Sequence, residues 1–95
     1  MNWFAERRLD YIDFRLLEAG TIRREDLVRT FGVSTAQASM DLNKFLASYP
    51  NAMTYDKTAK RYVARSHYHT KRGHHPDVRG CIKLLRKKRH PLGWE

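Results

Sequence analysis

The sequence of 95 residues is poor in several features that would point to particular protein classes. It has a single cysteine, Cys81, which excludes an intramolecular disulfide framework and offers no redox or zinc-cysteine pattern. No apolar run is long enough to span a bilayer, and the N-terminal residues lack the apolar core of a signal peptide. We therefore expect a cytoplasmic protein with one small folded core.

The residue groups that catalysis requires are also missing. Acidic residues are scattered over predicted helix faces, there is no glycine-rich phosphate loop, and no histidine lies near a plausible nucleophile. The histidines are His67, His69, His74, His75 and His90. With Cys81 they invite a zinc hypothesis, but their spacing matches no metal module, and solvated linker histidines are the simpler interpretation. We expect no enzyme activity, no cofactor and no metal.

Acidic residues are few compared with basic ones. The chain has 10 Asp and Glu against 19 Lys and Arg, which gives a formal net charge of +9. This excess is typical of a chain that meets polyanions, with nucleic acid the first choice and an anionic membrane the second.

The most specific pattern lies around the helix predicted from Thr35 to about Tyr49. Ser34 is a preferred N-cap residue and stands directly before an apolar stripe at helical spacing. The stripe consists of Ala38, Leu42, Phe45, Leu46 and Tyr49. The opposite face is small and polar, so it can approach base edges in a major groove. The alternative is an ordinary amphipathic helix with a solvated face.

The preceding residues favour the DNA-binding interpretation. Residues 24–31 predict a short helix with acidic residues in its first turn, where the helix dipole favours them. That helix ends at Gly32, a tight turn follows with Val33 pointing inward, and Ser34 begins the next helix. Residues 21–23 are too few for anything but an edge strand. The spacing is that of a helix-turn-helix.

A first helix is predicted from about Phe4 to Ala19, with Gly20 as its stop. One apolar stripe, Ala5, Leu9, Ile12 and Leu16, would face the core. A second apolar cluster consists of Trp3, Phe4, Tyr11 and Phe14. Because a second apolar face needs a second packing partner, we expect a homodimer interface there. The alternative is that the C-terminal tail folds back over it.

After Pro50 and Asn51 break the helix, residues 52–56 and 61–64 predict two strands joined by a turn. A basic hairpin that follows a recognition helix is a wing. Its cations would lie where a backbone phosphate or the minor-groove edge passes. Alternatively, they only keep an exposed edge strand soluble.

Together these elements predict a mainly α winged helix-turn-helix with a small β-hairpin over residues 1–65. The predicted base-reading residues are Thr35, Gln37, Ser39, Met40, Asn43 and Lys44. The predicted phosphate-binding residues are Arg23, Arg24, Ser34, Lys57, Lys60 and Arg61. Residues 66–95 form a basic, histidine-rich tail with eight basic and two acidic residues.

Within the tail, Pro76 and the helical spacing of Val78, Ile82 and Leu85 predict an amphipathic extension helix at about 76–89. This helix could pack on the first helix, swap into a dimer mate, or add phosphate contacts of no sequence preference.

Residues 14–42 and 55–63 resemble the N-terminal winged helix of the BrxR/CapW group of WYL-domain transcriptional regulators. The resemblance covers about residues 5 to 65. It implies a homodimeric repressor that binds inverted repeats upstream of a phage-defence operon. Full-length members continue into a WYL domain and a further domain that sense a ligand. A chain of this length has room for neither, so we expect a stand-alone or truncated winged helix without a small-molecule ligand.

A looser resemblance connects the chain with the DeoR-type winged helix. It rests on Val33-Ser34, Gln37 and Asp41-Leu42. Two arginines precede the Asp-Leu pair in that pattern, whereas Ser39 and Met40 stand there in this chain. The DeoR-type pattern therefore does not indicate which bases this chain prefers.

The sequence thus predicts a transcriptional repressor that binds double-stranded DNA sequence-specifically, as a homodimer on an inverted repeat. Two other classes stay open. One is a truncated winged-helix module that acts by protein–protein interaction with a full-length regulator or binds RNA. The other is a basic protein that binds nucleic acid without sequence preference.

Overall fold

The structure is a computed structural model that describes residues 3–72. This part of the chain contains three helices and three short strands. They are α1 (Trp3–Ala19), β1 (Thr21–Ile22), α2 (Arg24–Phe31), α3 (Thr35–Ser48), β2 (Met53–Asp56) and β3 (Arg61–Ala64). The predicted mainly helical winged helix-turn-helix with a small hairpin is confirmed. The predicted extension helix at about 76–89, together with His74, His75, His90 and Cys81, lies outside the described residues.

Two glycines end the first two helices. The backbone N–H of Gly20 donates to the carbonyl of Leu16 at 3.1 Å, and that of Gly32 donates to the carbonyl of Val28 at 2.8 Å. Their φ angles are 77° and 72°. Side chains disfavour this left-handed conformation, so glycine allows each helix to stop and the chain to turn at once.

Local side-chain caps define where α2 and α3 begin. The Asp26 carboxylate accepts a hydrogen bond from the backbone N–H of Arg23 at 2.8 Å. The Ser34 hydroxyl accepts one from the backbone N–H of Gln37 at 3.0 Å. Each cap satisfies a donor that the first helical turn leaves without a backbone partner. The start of each helix is therefore determined by residues that are close to it in sequence.

The three strands form one antiparallel sheet in the order β1-β3-β2. The wing hairpin pairs Met53 with Ala64 at its base and Asp56 with Arg61 at its tip. In the turn, the Asp56 carboxylate accepts hydrogen bonds from two backbone N–H groups, those of residues 58 and 59, at 3.0 and 3.1 Å. On the other side of β3, Thr21 pairs with Val63. The predicted edge strand therefore joins the wing to the connection between α1 and α2.

The core is built from all three helices and the sheet. Its buried apolar side chains are Leu9, Tyr11, Ile12, Phe14, Leu16, Ile22, Leu27, Ala38, Leu42, Phe45, Ala52 and Met53. Helix α1 packs against α3, β1 and β3. Its buried face is consequently wider than one helical stripe.

The width of this face corrects one prediction from the sequence. Tyr11 and Phe14 do not lie on a second, exposed apolar face, since they are only 1% and 6% exposed. The Tyr11 hydroxyl accepts a hydrogen bond from the Thr30 hydroxyl at 3.1 Å, and its ring meets Phe31 edge to face. Both side chains belong to the core within one chain and are not available as an exposed dimer surface.

The segment after β3 returns to α1 and is anchored there by a buried carboxylate. Asp13, which is 0% exposed, accepts hydrogen bonds from the hydroxyls of Tyr68 and Thr70 and from the backbone N–H groups of Lys71 and Arg72. Burial raises the pKa of Asp13, but these hydrogen bonds outweigh it and hold the pKa below its ordinary value. The carboxylate is therefore kept charged inside the protein.

Arg72 strengthens the same attachment by pairing with two other acidic residues of α1. Its guanidinium donates to Asp10 and Glu6, one and two helical turns away from Asp13. Burial lowers the pKa of Arg72, yet the two carboxylates outweigh burial and raise it. Residues 66–72 thus continue the fold beyond the wing.

Candidate nucleic-acid interface

Helix α3 separates its two faces as the sequence predicts. Ala38, Leu42 and Phe45 are buried in the core. The predicted base-reading side chains lie on the other side: Thr35, Met40, Asn43 and Lys44 are exposed, and Gln37 and Ser39 are partly exposed. The outer face has hydrogen-bond donors, acceptors and one thioether, which are the groups that can meet base edges in a major groove.

A basic cleft of about 330 Å³ lies where the start of α2, the middle of α3 and the wing come together. The residues around it are Arg23, Arg24, Glu25, Ser39, Leu42, Asn43, Tyr55, Lys60, Arg61 and Tyr62. Four of them are cations and only Glu25 is acidic. A cleft with this charge attracts phosphate, and two predicted base-reading residues share its wall.

Contacts within the cleft connect α2 to α3. The Arg24 guanidinium lies 3.4 Å from the Ser39 hydroxyl, at the exposed edge of both helices. The rings of Tyr55 and Tyr62 meet with centroids 4.9 Å apart on neighbouring strands. Tyr55 is half exposed, so the backbone of a nucleic acid bound in the cleft can reach its ring and hydroxyl. These tyrosines are not among the site residues predicted from the sequence, although their alternation along the hairpin carried the signal.

Two predicted phosphate-binding residues are not among those that line the cleft. Lys57 is exposed in the wing turn. Ser34 is exposed at the start of α3, where its oxygen already caps the helix. Its hydroxyl hydrogen remains able to donate. The four remaining predicted residues, Arg23, Arg24, Lys60 and Arg61, are brought together.

A second, more apolar groove of about 370 Å³ runs between α1 and α3. Ala5 and Leu9 from α1 line it opposite Met40 and Lys44 from α3. Arg8 and Asp41 also line the groove, and their side chains form a salt bridge with an N–O distance of 2.6 Å. Neither charged residue is among the site residues predicted from the sequence. The spacing of Gln37 and Asp41, one helical turn apart, was a signal for Asp41, whereas no local pattern indicated Arg8.

Trp3 and Phe4 keep the exposed aromatic character that the sequence predicted. They are 52% and 65% exposed, and their rings meet edge to face with centroids 5.2 Å apart. The Arg7 guanidinium lies over the Trp3 ring at 5.2 Å from its centroid. Of the four residues predicted to form a dimer interface, only these two have exposed side chains.

Residues 3–72 provide neither a metal site nor a membrane-spanning helix. Within that range, no group of three or more His, Cys, Asp or Glu side chains is placed to hold a metal ion. No helix there is both long and apolar enough to cross a membrane.

Comparison with protein families gives one match over most of the chain. Residues 5–87 match the family described as the BrxR transcriptional regulator winged helix-turn-helix domain. The match continues beyond residue 65, so it is longer than the resemblance seen in the sequence. It includes the segment that is anchored on α1.

Individual relatives carry the same kind of description. The chain is 42% identical over 61 residues to a DNA-binding transcriptional repressor CapW of Escherichia coli (strain KTE188). The aligned residues make up 64% of this chain and 20% of the relative. This chain is 40% identical over 63 residues to the CapW repressor of Pseudomonas aeruginosa, covering 66% of this chain and 21% of the relative. The chain spans about a fifth of the length of these curated relatives. The descriptions are those of regulators and agree with the prediction that this chain is not an enzyme.

Proposed function

We propose that this chain, which belongs to the BrxR transcriptional regulator winged helix-turn-helix family, binds double-stranded DNA sequence-specifically and represses transcription. One observation carries the proposal. The polar face of α3 and the basic cleft share Ser39 and Asn43, so base-reading and phosphate-binding groups adjoin on one side of the protein. A duplex that seats α3 in its major groove would bring a backbone strand to the cleft.

The two parts of this surface would do different work. The exposed face of α3 would read bases through Thr35, Gln37, Ser39, Met40, Asn43 and Lys44. The cleft cations Arg23, Arg24, Lys60 and Arg61, together with Lys57 and Ser34, would bind phosphates and set the register of the helix. Discrimination would then come from α3, and most of the salt-dependent affinity from the cations.

We extend the proposal to a homodimer on an inverted repeat. Two copies related by a two-fold axis would place two α3 helices on the two halves of such a site. The exposed pair of Trp3 and Phe4 is the apolar surface that supports an interface. The names of the relatives support repression. The resemblance to the BrxR/CapW group supports phage-defence genes as the target.

The first test is binding to the DNA upstream of this protein's own coding region, compared with a random duplex of equal length. Fluorescence anisotropy at low and near-physiological salt would measure both affinities. We expect a preference of about a hundredfold or more, equivalent to about 3 kcal/mol, that persists as salt rises. Equal, steeply salt-dependent binding to both duplexes would instead favour a basic protein without sequence preference.

A matched pair of arginines on α2 tests the cleft. Arg24 lines the cleft, whereas Arg29 lies toward the other end of the same helix, where its exposed side chain forms a salt bridge with the buried Asp26. We expect Arg24→Ala to reduce the slope of log affinity against log salt by about one. Arg29→Ala should leave that slope unchanged. The phosphate role of the cleft is wrong if both variants behave alike.

A further inference from the structure

Asp41 connects helix α3 to α1 through a small, partly buried network. Its carboxylate accepts hydrogen bonds from Arg8 on α1, with Nε at 2.6 Å and the second nitrogen at 3.4 Å. The same carboxylate accepts one from the side-chain amide of Gln37 at 3.0 Å. The side chains of Arg8 and Asp41 are 13% and 7% exposed, so the ion pair is largely shielded from water.

This network determines which way the Gln37 amide faces. An ionised carboxylate only accepts hydrogen bonds, so the nitrogen of the amide must face Asp41 and the oxygen must face away. Gln37 is then left with a carbonyl acceptor and one remaining N–H donor on the outer side of α3. An unattached glutamine could present the same two groups in either order.

We infer that Arg8 and Asp41 are positioning residues for base recognition and hold the Gln37 amide in the orientation that fits adenine. The inference rests on the proposed reading of DNA by Gln37. In the major groove, adenine offers the N6 amino donor beside the N7 acceptor. The outward carbonyl of Gln37 accepts from N6, and its remaining N–H donates to N7. Guanine presents two acceptors at this edge, and thymine presents only one acceptor, so neither satisfies both groups.

Arg8 matters because it fixes the carboxylate from another helix. It lies 33 residues before Asp41 in the chain and approaches Asp41 only through the packing of α1 on α3. With two nitrogens directed at one carboxylate, it restrains the plane of that group as well as its charge. The orientation of the amide is therefore determined before DNA arrives, and binding need not order it.

The test uses the full chain and a randomised DNA pool, from which the base preferred at each position is measured. We expect Gln37→Ala to lower the preference for adenine about tenfold at one position of each site, equivalent to about 1.4 kcal/mol. Asp41→Asn should lower it about threefold at the same position, because the amide remains but one acceptor now serves two donors. Asn43→Ala, which alters a neighbouring side chain outside the network, should change a different position.

Two Arg8 variants separate positioning from a general structural effect. Arg8→Lys keeps a cation beside Asp41 and should retain most of the adenine preference. Arg8→Met should lower the adenine preference by the same factor as Asp41→Asn. The double variant R8M/D41N removes both partners, so no lone charge is left buried if either single variant unfolds. Circular dichroism establishes that each variant is folded.

Each outcome decides between the two claims. Loss of discrimination at one shared position in the Gln37, Asp41 and Arg8→Met variants supports positioning. If Gln37→Ala relaxes a position that Asp41→Asn leaves intact, Gln37 reads bases without help and the positioning role is refuted. If the Asp41 variant weakens all positions equally, its role is structural. If Gln37→Ala relaxes no position, the reading of DNA by Gln37 fails and the inference fails with it.

A measurement without DNA examines the network independently of base reading. Gln37 is the only glutamine in the chain, so its side-chain amide gives one assignable pair of proton signals in a ¹⁵N-labelled sample. We expect the two proton signals to lie further apart in the wild type than in a solvated amide, because one proton is hydrogen-bonded to a carboxylate. Asp41→Asn and Arg8→Met should shift the pair toward the values of a solvated amide. Unchanged signals would overturn the inference.

Discussion

Replacing Asp13 by asparagine tests the anchor that holds the segment after the wing. Asp13 is fully buried, and donors from residues 68–72 approach both of its carboxylate oxygens. An asparagine keeps the shape but replaces one acceptor oxygen by an NH₂ donor. Whichever way that amide turns, it points a donor at other donors, and the negative charge that attracts them is gone.

The expected loss follows from the number of donors left without an acceptor. Oδ2 accepts from Thr70 and from the backbone N–H groups of Lys71 and Arg72, while Oδ1 accepts from Tyr68 and shares the Lys71 N–H. At least one donor loses its acceptor in the better amide orientation. Each buried group without a partner costs about 1–3 kcal/mol. We expect Asp13→Asn to lower the free energy of unfolding by about 2–4 kcal/mol.

Urea unfolding followed by circular dichroism would measure this loss. The control is Asp56→Asn, which makes the same chemical change in the wing turn and should cost less than about 1 kcal/mol. Trypsin provides a second readout, since Arg65, Lys71 and Arg72 flank or lie in the anchored segment. The variant should be cleaved there faster than the wild type. A loss within about 0.5 kcal/mol of zero, with unchanged cleavage, would refute the anchoring role.

The pH dependence has a definite sign. Because the pKa of Asp13 is lowered in the folded protein, its stabilisation is fully present above the unfolded-state pKa of about 3.9 and is lost as pH falls through the folded-state pKa. The stability of the wild type should therefore decline in acid more steeply than that of Asp13→Asn. Parallel pH profiles would contradict the assignment.

Three further predictions concern the wing, a helix end and the core. Lys60→Ala should weaken binding to all duplexes alike and reduce the salt slope by about one, and a loss confined to one sequence would contradict a phosphate role. Gly32→Ala should cost about 1 kcal/mol in urea unfolding, because φ is 72° while no atom obstructs a new Cβ; an unchanged midpoint would show that α2 ends without this strain. Phe45→Ala should cost about 3–5 kcal/mol, since its side chain is fully buried, and a cost below about 1 kcal/mol would mean the core collapses around it.

Much of the fold was predictable because its signals act over a few residues. The apolar spacing around Leu42, the cap at Ser34 and the glycine at residue 32 each depend on backbone geometry within one or two helical turns. The structure places α2 at the predicted bounds and begins α3 at the predicted residue. The hairpin was readable for the same reason, since alternation and turn chemistry are local.

The candidate site was predictable in part. A helical wheel shows which side chains share a face, so the exposed face of α3 followed from the sequence. The wheel does not show what each face meets. Tyr11 and Phe14 were therefore assigned to a second surface, whereas α1 has neighbours on several sides and buries both.

The sequence by itself determined the order of elements, the two faces of α3 and the excess of positive charge, because each depends on residue type and short-range spacing. Only the tertiary structure decided that Arg8 reaches Asp41, that cations from α2 and the wing share one cleft, and that the segment after the wing is anchored on Asp13. These contacts join residues that are far apart in the chain. Their formation depends on how packed elements meet, which no local pattern of residues specifies.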